Sequence, residues 1–242
     1  MTTFCKKILA LVISMALLAT CLIFPGVVSA ENEETIAVWN GETAKPTDSD
    51  NDGVYEINTP EELAFVVKNG GGNSYILTTD LYLNDPAAVD WSTGTVNEGF
   101  EPHEWFEEAA FVGTFDGDGH IVYGIYYPVG NNSDIDYNRA VGLFPKLGAN
   151  TTIKNLGVKD SYLETKGFAG AIAGFFTDKK DANILIDSCF SDDSVTLKTY
   201  QPVTNNYQFG ASGILGGFYN SSKVTISNCC SSANTSSTNV DG

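Results

Sequence analysis

Three side chains that could carry out acid–base chemistry lie within one short stretch. Asp116, Asp118 and His120 alternate with glycines directly after Phe115. Paired carboxylates can serve as general acid and general base, and their separation decides the stereochemistry of glycoside cleavage. The same pattern also suits an aspartate and glycine turn between two strands, with His120 at a corner. These three residues are the candidate catalytic group of an enzyme alternative.

A second acidic group has the spacing of a calcium loop. Asp48, Asp50 and Asp52 stand at alternate positions, and Gly53 follows where the sharp turn of such a loop needs glycine. Position twelve falls on Thr59 instead of a bidentate glutamate. Two interpretations stay open, a weak calcium site and a solvated acidic turn. Calcium is the one candidate cofactor.

A long insertion, residues 84–110, interrupts the pattern of short apolar runs. Long loops on a rigid scaffold often carry function, and aromatic rings beside carboxylates suit sugar faces and hydroxyls. The alternative is that the rings of this segment, Phe106 among them, pack the insertion onto the rest of the protein. The candidate ligand-binding residues are Trp91, His103, Glu104 and Trp105.

Composition excludes several classes of function. The net charge is −17, and removal of the first 30 residues leaves 11 basic against 30 acidic residues, or −19. Such a charge argues against nucleic acid and against anionic lipid surfaces. Arg139 is the sole arginine, which disfavours a lyase acting on polyuronates. His103 and His120 are the only histidines, so the zinc motif of metallopeptidases is absent.

Two near copies organise the second half of the chain. Glycine boxes begin at Gly170 and Gly213, 43 positions apart, and the cysteines that follow them, Cys189 and Cys229, are 40 apart. A more divergent copy covers residues 141–144 and 152–158. Self-similarity at such a period is typical of a solenoid.

Each copy contains only short β-branched runs bounded by Asn, Asp, Ser and Gly, which favours strands. We therefore predict an all-β protein, a right-handed parallel β-helix in which each strand pairs with its equivalent one coil later; a propeller is the main rival. Equivalent side chains should stack about 4.8 Å apart. The expected inward columns are Leu156, Cys189 and Cys229, and Phe144, Ile172 and Leu215.

The stretch from Phe111 to Val122 resembles the signature that opens the coils of many secreted bacterial β-helices. With Gly142-Leu143-Phe144, the two glycine boxes and Asn228-Cys229, it resembles the GLUG-repeat proteins, which are pectin-lyase-like solenoids of surface or adhesin type. Those repeats occur in bacterial surface proteins, including non-catalytic stretches of IgA-cleaving metallopeptidases. The resemblance implies the β-helix fold and says little about activity.

Domain boundaries follow from composition. Residues 1–30 have the basic start, short apolar run and small-residue cleavage site of a secretory signal. Residues 31–58 form a polar segment, and residues 59–230 form the β-helix, beginning with a capping helix at 59–70 whose Thr59 and Glu62 make a capping box. The polar tail, 231–242, has no evident cap, so we expect the natural chain to continue.

The mature chain would hold three cysteines, Cys189, Cys229 and Cys230, too few and too odd a number for a disulfide framework. A reduced, buried pair of Cys189 and Cys229 is favoured over a bridge, because parallel side chains rarely meet the required dihedral angle.

Together these features predict a non-catalytic secreted or cell-surface module for adhesion, glycan binding or spacing, within a larger surface protein. The alternative is a carbohydrate-active enzyme, a polysaccharide lyase or glycoside hydrolase. The expected partners are an extracellular glycan or a protein on a host or partner surface, with no nucleic acid and no membrane span in the mature chain. Attachment to the cell surface would use sequence beyond these residues.

Overall fold

A computed structural model describes residues 36–105, 109–129, 139–176, 183–202, 210–218 and 223–240. The predicted signal peptide, Phe106 of the insertion and the last two residues of the polar tail lie outside these ranges. Residues Ile36–Gly242 belong to one compact unit. Within the described ranges, no helix is both long and apolar enough to cross a membrane.

Short strands dominate the described chain, and they contain a single α-helix between the first two. In chain order the elements are β1 (Val54–Ile57), α1 (Pro60–Asn69), β2 (Gly71–Leu77), β3 (Leu81–Tyr82), β4 (Val89–Asp90), β5 (Thr95–Val96), β6 (Phe111–Asp116), β7 (Ile121–Tyr123), β8 (Tyr126–Tyr127), β9 (Ala140–Val141), β10 (Phe144–Lys154), β11 (Gly157–Lys159), β12 (Ser161–Thr165), β13 (Phe168–Gly170), β14 (Ala173–Phe176), β15 (Asn183–Asp187), β16 (Phe190–Ser191), β17 (Val195–Pro202), β18 (Ala211–Ser212), β19 (Leu215–Phe218), β20 (Lys223–Ser227), β21 (Cys230–Ser231) and β22 (Asn234–Val240).

The strands pair in parallel, each with its equivalent one coil later. The largest sheet runs β1, β2, β6, β10, β14, β19, and the second half of β10 continues into β15 and β20. Three further parallel sheets follow the orders β3-β7-β11-β16-β21, β8-β12-β17-β22 and β9-β13-β18. Among the named strands of the described chain, only the β4-β5 hairpin is antiparallel. This pairing defines a parallel β-solenoid and confirms the predicted fold class; the right-handed winding stays a prediction.

Inward side chains form continuous columns, as the repeat predicts. Ile153 pairs with Ile186, and Ile186 pairs with Ile226 one coil further on. The register of the neighbouring sheet, in which Gly157, Phe190 and Cys230 align, stacks the preceding residues Leu156, Cys189 and Cys229 as expected. Leu156 and Cys189 are fully buried.

The second predicted column is out of register by one residue. Phe144 pairs with Ala173, and Ala173 pairs with Leu215, so Ile172 belongs to the adjacent column. Ile172 and Phe144 are both completely buried, which means that burial does not alternate at this corner. Without alternation, the sequence pattern cannot distinguish two registers that differ by one position.

The glycine boxes mark places where two backbones approach closely. A Cβ atom at Gly174 would lie 2.6 Å from the carbonyl oxygen of Pro145 and 2.8 Å from the backbone nitrogen of Val141. At Gly216, one coil further on, it would lie 2.6 Å from the carbonyl oxygen of Gly174. Any side chain at these positions would push adjacent coils apart, which explains why the boxes repeat.

Helix α1 has the local geometry that the sequence predicts. The Thr59 hydroxyl accepts the Glu62 N–H, and the Glu62 carboxylate accepts the Thr59 N–H, so the capping box is complete. Gly70 ends the helix in the left-handed conformation, with φ 79°. Leu63, Val66 and other apolar residues of the helix join the main hydrophobic core.

The polar segment before β1 lies across the edges of the first coil. Val38 makes a parallel bridge to Tyr82 of β3, and Thr47 makes an antiparallel bridge to Glu56 of β1. The indole of Trp39 is almost fully buried and meets Trp105 of the insertion edge to face, with centroids 5.2 Å apart. The N-terminal edges of two sheets are therefore partly covered by the chain itself.

Candidate functional site

The predicted acid–base residues lie at the corner between β6 and β7. Asp116 accepts hydrogen bonds from the Asn155 side chain (2.9 Å) and the Asp118 N–H (3.0 Å), and it forms an ion pair with Lys154 at 2.7 Å. Partial burial opposes ionisation of Asp116, but Lys154, Asn155 and the Asp118 N–H outweigh it and hold the pKa of this carboxyl below its usual range. Asp116 is thus an ionised group bound to the following coil.

His120 contacts the coil on the other side. Its Nδ1 lies 3.1 Å from Oδ1 of Asp80, which also accepts the Ile121 N–H at 3.0 Å. Asp118 is exposed and adopts the left-handed conformation, with φ 49°. Asp116 and His120 therefore contact opposite neighbours along the stack, which is the corner arrangement that sequence analysis left open as the alternative to catalysis.

The same polar corner recurs further along the solenoid. Asp187 accepts hydrogen bonds from Ser227 (2.6 Å), Asn228 (2.8 Å) and Ser188 (3.1 Å), and the bonds from Ser227 and Asn228 lower the pKa of Asp187 most. Asn155, Ser188 and Asn228 all have φ between 53° and 55°. Sequence analysis missed this ladder, although Asn and Ser at equivalent turn positions signal it, because Asn tolerates the left-handed region and both residues favour turns.

Tyrosines and acidic side chains share the next surface. Tyr82 and Tyr123 stack with centroids 4.7 Å apart and an interplanar angle of 8°. Burial and then the charge of Asp80 raise the pKa of Tyr123 well above its ordinary value. Burial also raises the pKa of Asp160, with Asp192 adding to the effect. The two phenols consequently stay protonated at neutral pH and are hydrogen-bond donors rather than nucleophiles.

The stacked cysteines are thiols in the described structure. The backbone N–H of Cys189 donates to Sγ of Cys229 at 3.4 Å. The hydrogen bond with Cys229 and burial raise the pKa of Cys189. Hydrogen bonds from Cys189 lower the pKa of half-buried Cys229. Cys229 is consequently the more acidic thiol of the pair.

The calcium-like loop brings together only part of the predicted ligand set. One carboxylate oxygen each from Asp48, Asp50 and Glu56 lie within 4.8 Å of one another. Asp52 instead accepts the N–H of Val54 at 2.8 Å, inside its own turn. Glu56 was not predicted, because it follows the turn and enters the group through strand β1. The donor set is all oxygen, which suits a hard cation.

The insertion buries its two tryptophans. Trp105 is 2% exposed, lies in the main core and donates its indole N–H to the Leu143 carbonyl at 2.9 Å. Trp91 is 8% exposed and belongs to a second apolar cluster with Val89, Tyr126 and Tyr162. These contacts favour packing, the alternative to sugar binding that the sequence left open for the rings.

The two other candidate ligand-binding residues of the insertion remain accessible. His103 is half-buried, and its ring lies 5.4 Å from that of Trp39. The backbone of His103 is held by Asn84, whose side chain accepts its N–H at 2.8 Å and donates to its carbonyl at 2.9 Å. Glu104 is exposed.

An open groove lies on the outer face of β10, β15 and β20. It has a volume of about 390 Å³, and the side chains at its surface are mostly hydroxyls, amides and one amine. Thr152, Leu185 and Thr225 are paired across the three strands. Sequence analysis missed the groove, because its residues come from three coils. The lining residues are Asn150, Thr151, Thr152, Asn183, Ile184, Leu185, Lys223 and Thr225.

Comparison with known proteins gives one similarity to report. Halomucin from Haloquadratum walsbyi is 28% identical to this chain over 127 residues, which cover 51% of the chain and 1% of halomucin. The match thus spans about one hundredth of the length of this curated relative. No family model matches the chain, and no solved structure matches it. The similarity and the β-solenoid fold are compatible with a non-catalytic surface module.

Proposed function

We propose that this chain is a non-catalytic module of a secreted or cell-surface protein of the bacterial GLUG-repeat type, acting as a spacer or adhesive segment. The observation that carries the proposal is the use of the polar corner residues. Asp116 and His120, the best candidates for acid–base chemistry, each bond to an adjacent coil. The small share of halomucin that the chain matches supports a module within a longer protein.

A panel of neutral and acidic polysaccharides tests the non-catalytic assignment. The full chain, produced with its own N-terminal segment and purified from the medium, should release no reducing ends and no unsaturated uronate products. Turnover that disappears in Asp116→Asn but persists in Thr114→Val would establish the enzyme alternative. Both variants should first show wild-type circular dichroism, so that loss of fold is not mistaken for loss of activity.

Glycan binding is a second candidate function, supported by the groove across β10, β15 and β20. Hydroxyl and amide groups beside the apolar Leu185 suit the mixed polar and apolar surface of a sugar. On a glycan array, wild-type protein should bind one sugar class, and Thr225→Val should weaken that binding because it removes a hydroxyl from the groove at nearly constant volume. Thr114→Val is the matched control, since Thr114 belongs to the same column outside the groove.

The array should be run with calcium and with chelator, because the predicted calcium site stays a prediction. Calcium-dependent binding that is lost in Asp50→Asn and kept in Asp52→Asn would support a site at Asp48, Asp50 and Glu56. Binding that is equal in both arms would remove calcium from the glycan function. A folded sample that binds no glycan would leave spacing or protein-directed adhesion as the function.

A further inference from the structure

The last described coil leaves the hydrophobic core open. Leu147 and Phe176 are fully buried, but Phe218, the next residue of their column, is 53% exposed. Ile226 is likewise 47% exposed, although Ile186 beneath it is fully buried. Inward-facing side chains thus reach solvent at this end, and we call the surface formed by β18 to β22 the open end face.

The strands of the open end face also have unpaired edges. Within the part of the chain that the structure describes, β18, β19, β20, β21 and β22 each stand last in their order of pairing. The longest, β22, has seven residues and contains no lysine and no proline, which are the usual protection of such edges. Its free N–H and C=O groups can add another strand.

The opposite end of the solenoid differs, because the chain covers it. Val38 and Thr47 bridge to the first coil, and α1 packs its apolar face into the core. The N–H of Trp105 donates to the carbonyl of Tyr126 in β8, the first strand of its sheet, at 2.8 Å. A second copy therefore has an open apolar surface to match only at the other end.

Charge favours contact at that end as well. The whole chain carries −17, so two copies repel one another across most of their surfaces. Residues 210–240, which supply the open end face, contain a single charged side chain, Lys223. Two copies can meet there without bringing carboxylates together.

We propose that the open end face is a docking site for a second copy of this chain, joined tail to tail about a two-fold axis. In such an isologous contact the same surface is used by both copies, and it closes after two. Strand edges from one copy pair with those of its partner, and Phe218 and Ile226 of each copy become buried.

Analytical ultracentrifugation of the full chain over a wide micromolar range tests the proposal. The wild-type protein should be a dimer, and Ile226→Asp should be a folded monomer, with a dissociation constant raised on the order of a hundredfold because a charge would be buried without a partner. Ile36→Asp is the matched control: Ile36 is 49% exposed and lies in the segment that covers the opposite end. This variant should dimerise as the wild type does.

Salt provides a second readout that does not depend on a variant. Since both copies are acidic, added NaCl should strengthen the dimer by screening their repulsion. A monomer at every concentration and salt level would overturn the proposal. Dimers retained in Ile226→Asp, or open-ended growth that Ile36→Asp prevents, would also overturn it, because both outcomes place the contact elsewhere.

Discussion

Asp116 joins neighbouring coils through charge as well as through hydrogen bonds. Its carboxylate accepts from Asn155, the left-handed residue of the following corner, and pairs with Lys154 beside it. The equivalent corner one coil beyond Asn155 uses Asp187 in the same way, with Ser227 and Asn228 as donors. The corner carboxylates therefore stabilise the stack only in their ionised form.

The first prediction is a loss of stability at acid pH that depends on Asp116. A lowered pKa means that Asp116 stabilises the folded state above the ordinary aspartate pKa of about 3.9 and loses that contribution as the pH falls through its folded value. Asp116→Asn should lower the free energy of unfolding by about 1 kcal/mol at pH 7, and the difference should shrink below about pH 4. Denaturant titrations across this range measure it.

Asp118→Asn is the control for this experiment, because Asp118 is an exposed residue of the same turn. Asparagine also tolerates its left-handed backbone. An equal loss of stability in both variants at pH 7 would show that the turn, and not the ion pair with Lys154, carries the effect.

At the scale of elements, the insertion is anchored by two rings at different depths. Trp105 reaches the main core, where it contacts Trp39 and bonds to the Leu143 carbonyl. Trp91 holds the β4-β5 hairpin through the smaller second cluster, and its indole N–H donates to the Pro86 carbonyl at 2.9 Å. The insertion is accordingly part of the folded scaffold on both sides of the hairpin.

The second prediction compares these anchors. Trp105→Ala should lower the free energy of unfolding by about 3 to 5 kcal/mol, the usual cost of removing a large buried aromatic side chain. Trp91→Phe should cost less, because a ring still fills the second cluster. Chemical denaturation measures both, with glycan binding recorded on the same samples. A Trp105→Ala variant of unchanged stability that no longer binds glycan would restore the predicted binding role.

At the scale of the whole molecule, parallel stacking and a large negative charge oppose one another. Every coil adds apolar columns that stabilise the stack, and the interior is continuous from Trp39 to Leu215. The formal charge of −17 acts over the same stack as self-repulsion. Repulsion of this kind is long-ranged and is reduced by salt.

The third prediction concerns that balance. At pH 7, raising NaCl from low to moderate concentration should raise the melting temperature by about 2 to 4 °C, equivalent to about 1 kcal/mol in a chain of this size. At about pH 4, where many carboxylates are protonated, the same salt should have little effect. Thermal scans monitored by circular dichroism suffice. A salt effect of equal size at both pH values would contradict an origin in net charge.

The fold could be derived from the sequence because its signals are local and repeated. Equivalent β-branched runs, glycine boxes and the cysteine pair recur one coil apart, and repetition of this kind implies parallel stacking whatever the lengths of the turns. The capping box of Thr59 and Glu62 and the terminal Gly70 define α1 through contacts within a few residues. Such features need no knowledge of distant parts of the chain.

Only the tertiary structure decided which distant residues meet. Ile172 takes a different column from Phe144, because both positions are buried and the pattern cannot detect a shift of one residue. Glu56 replaces Asp52 beside Asp48, because a strand leaving the turn returns it to the acidic group. The tryptophans of the insertion, the three-coil groove and the open end face likewise depend on how coils stack, since each combines side chains that the sequence separates by many residues.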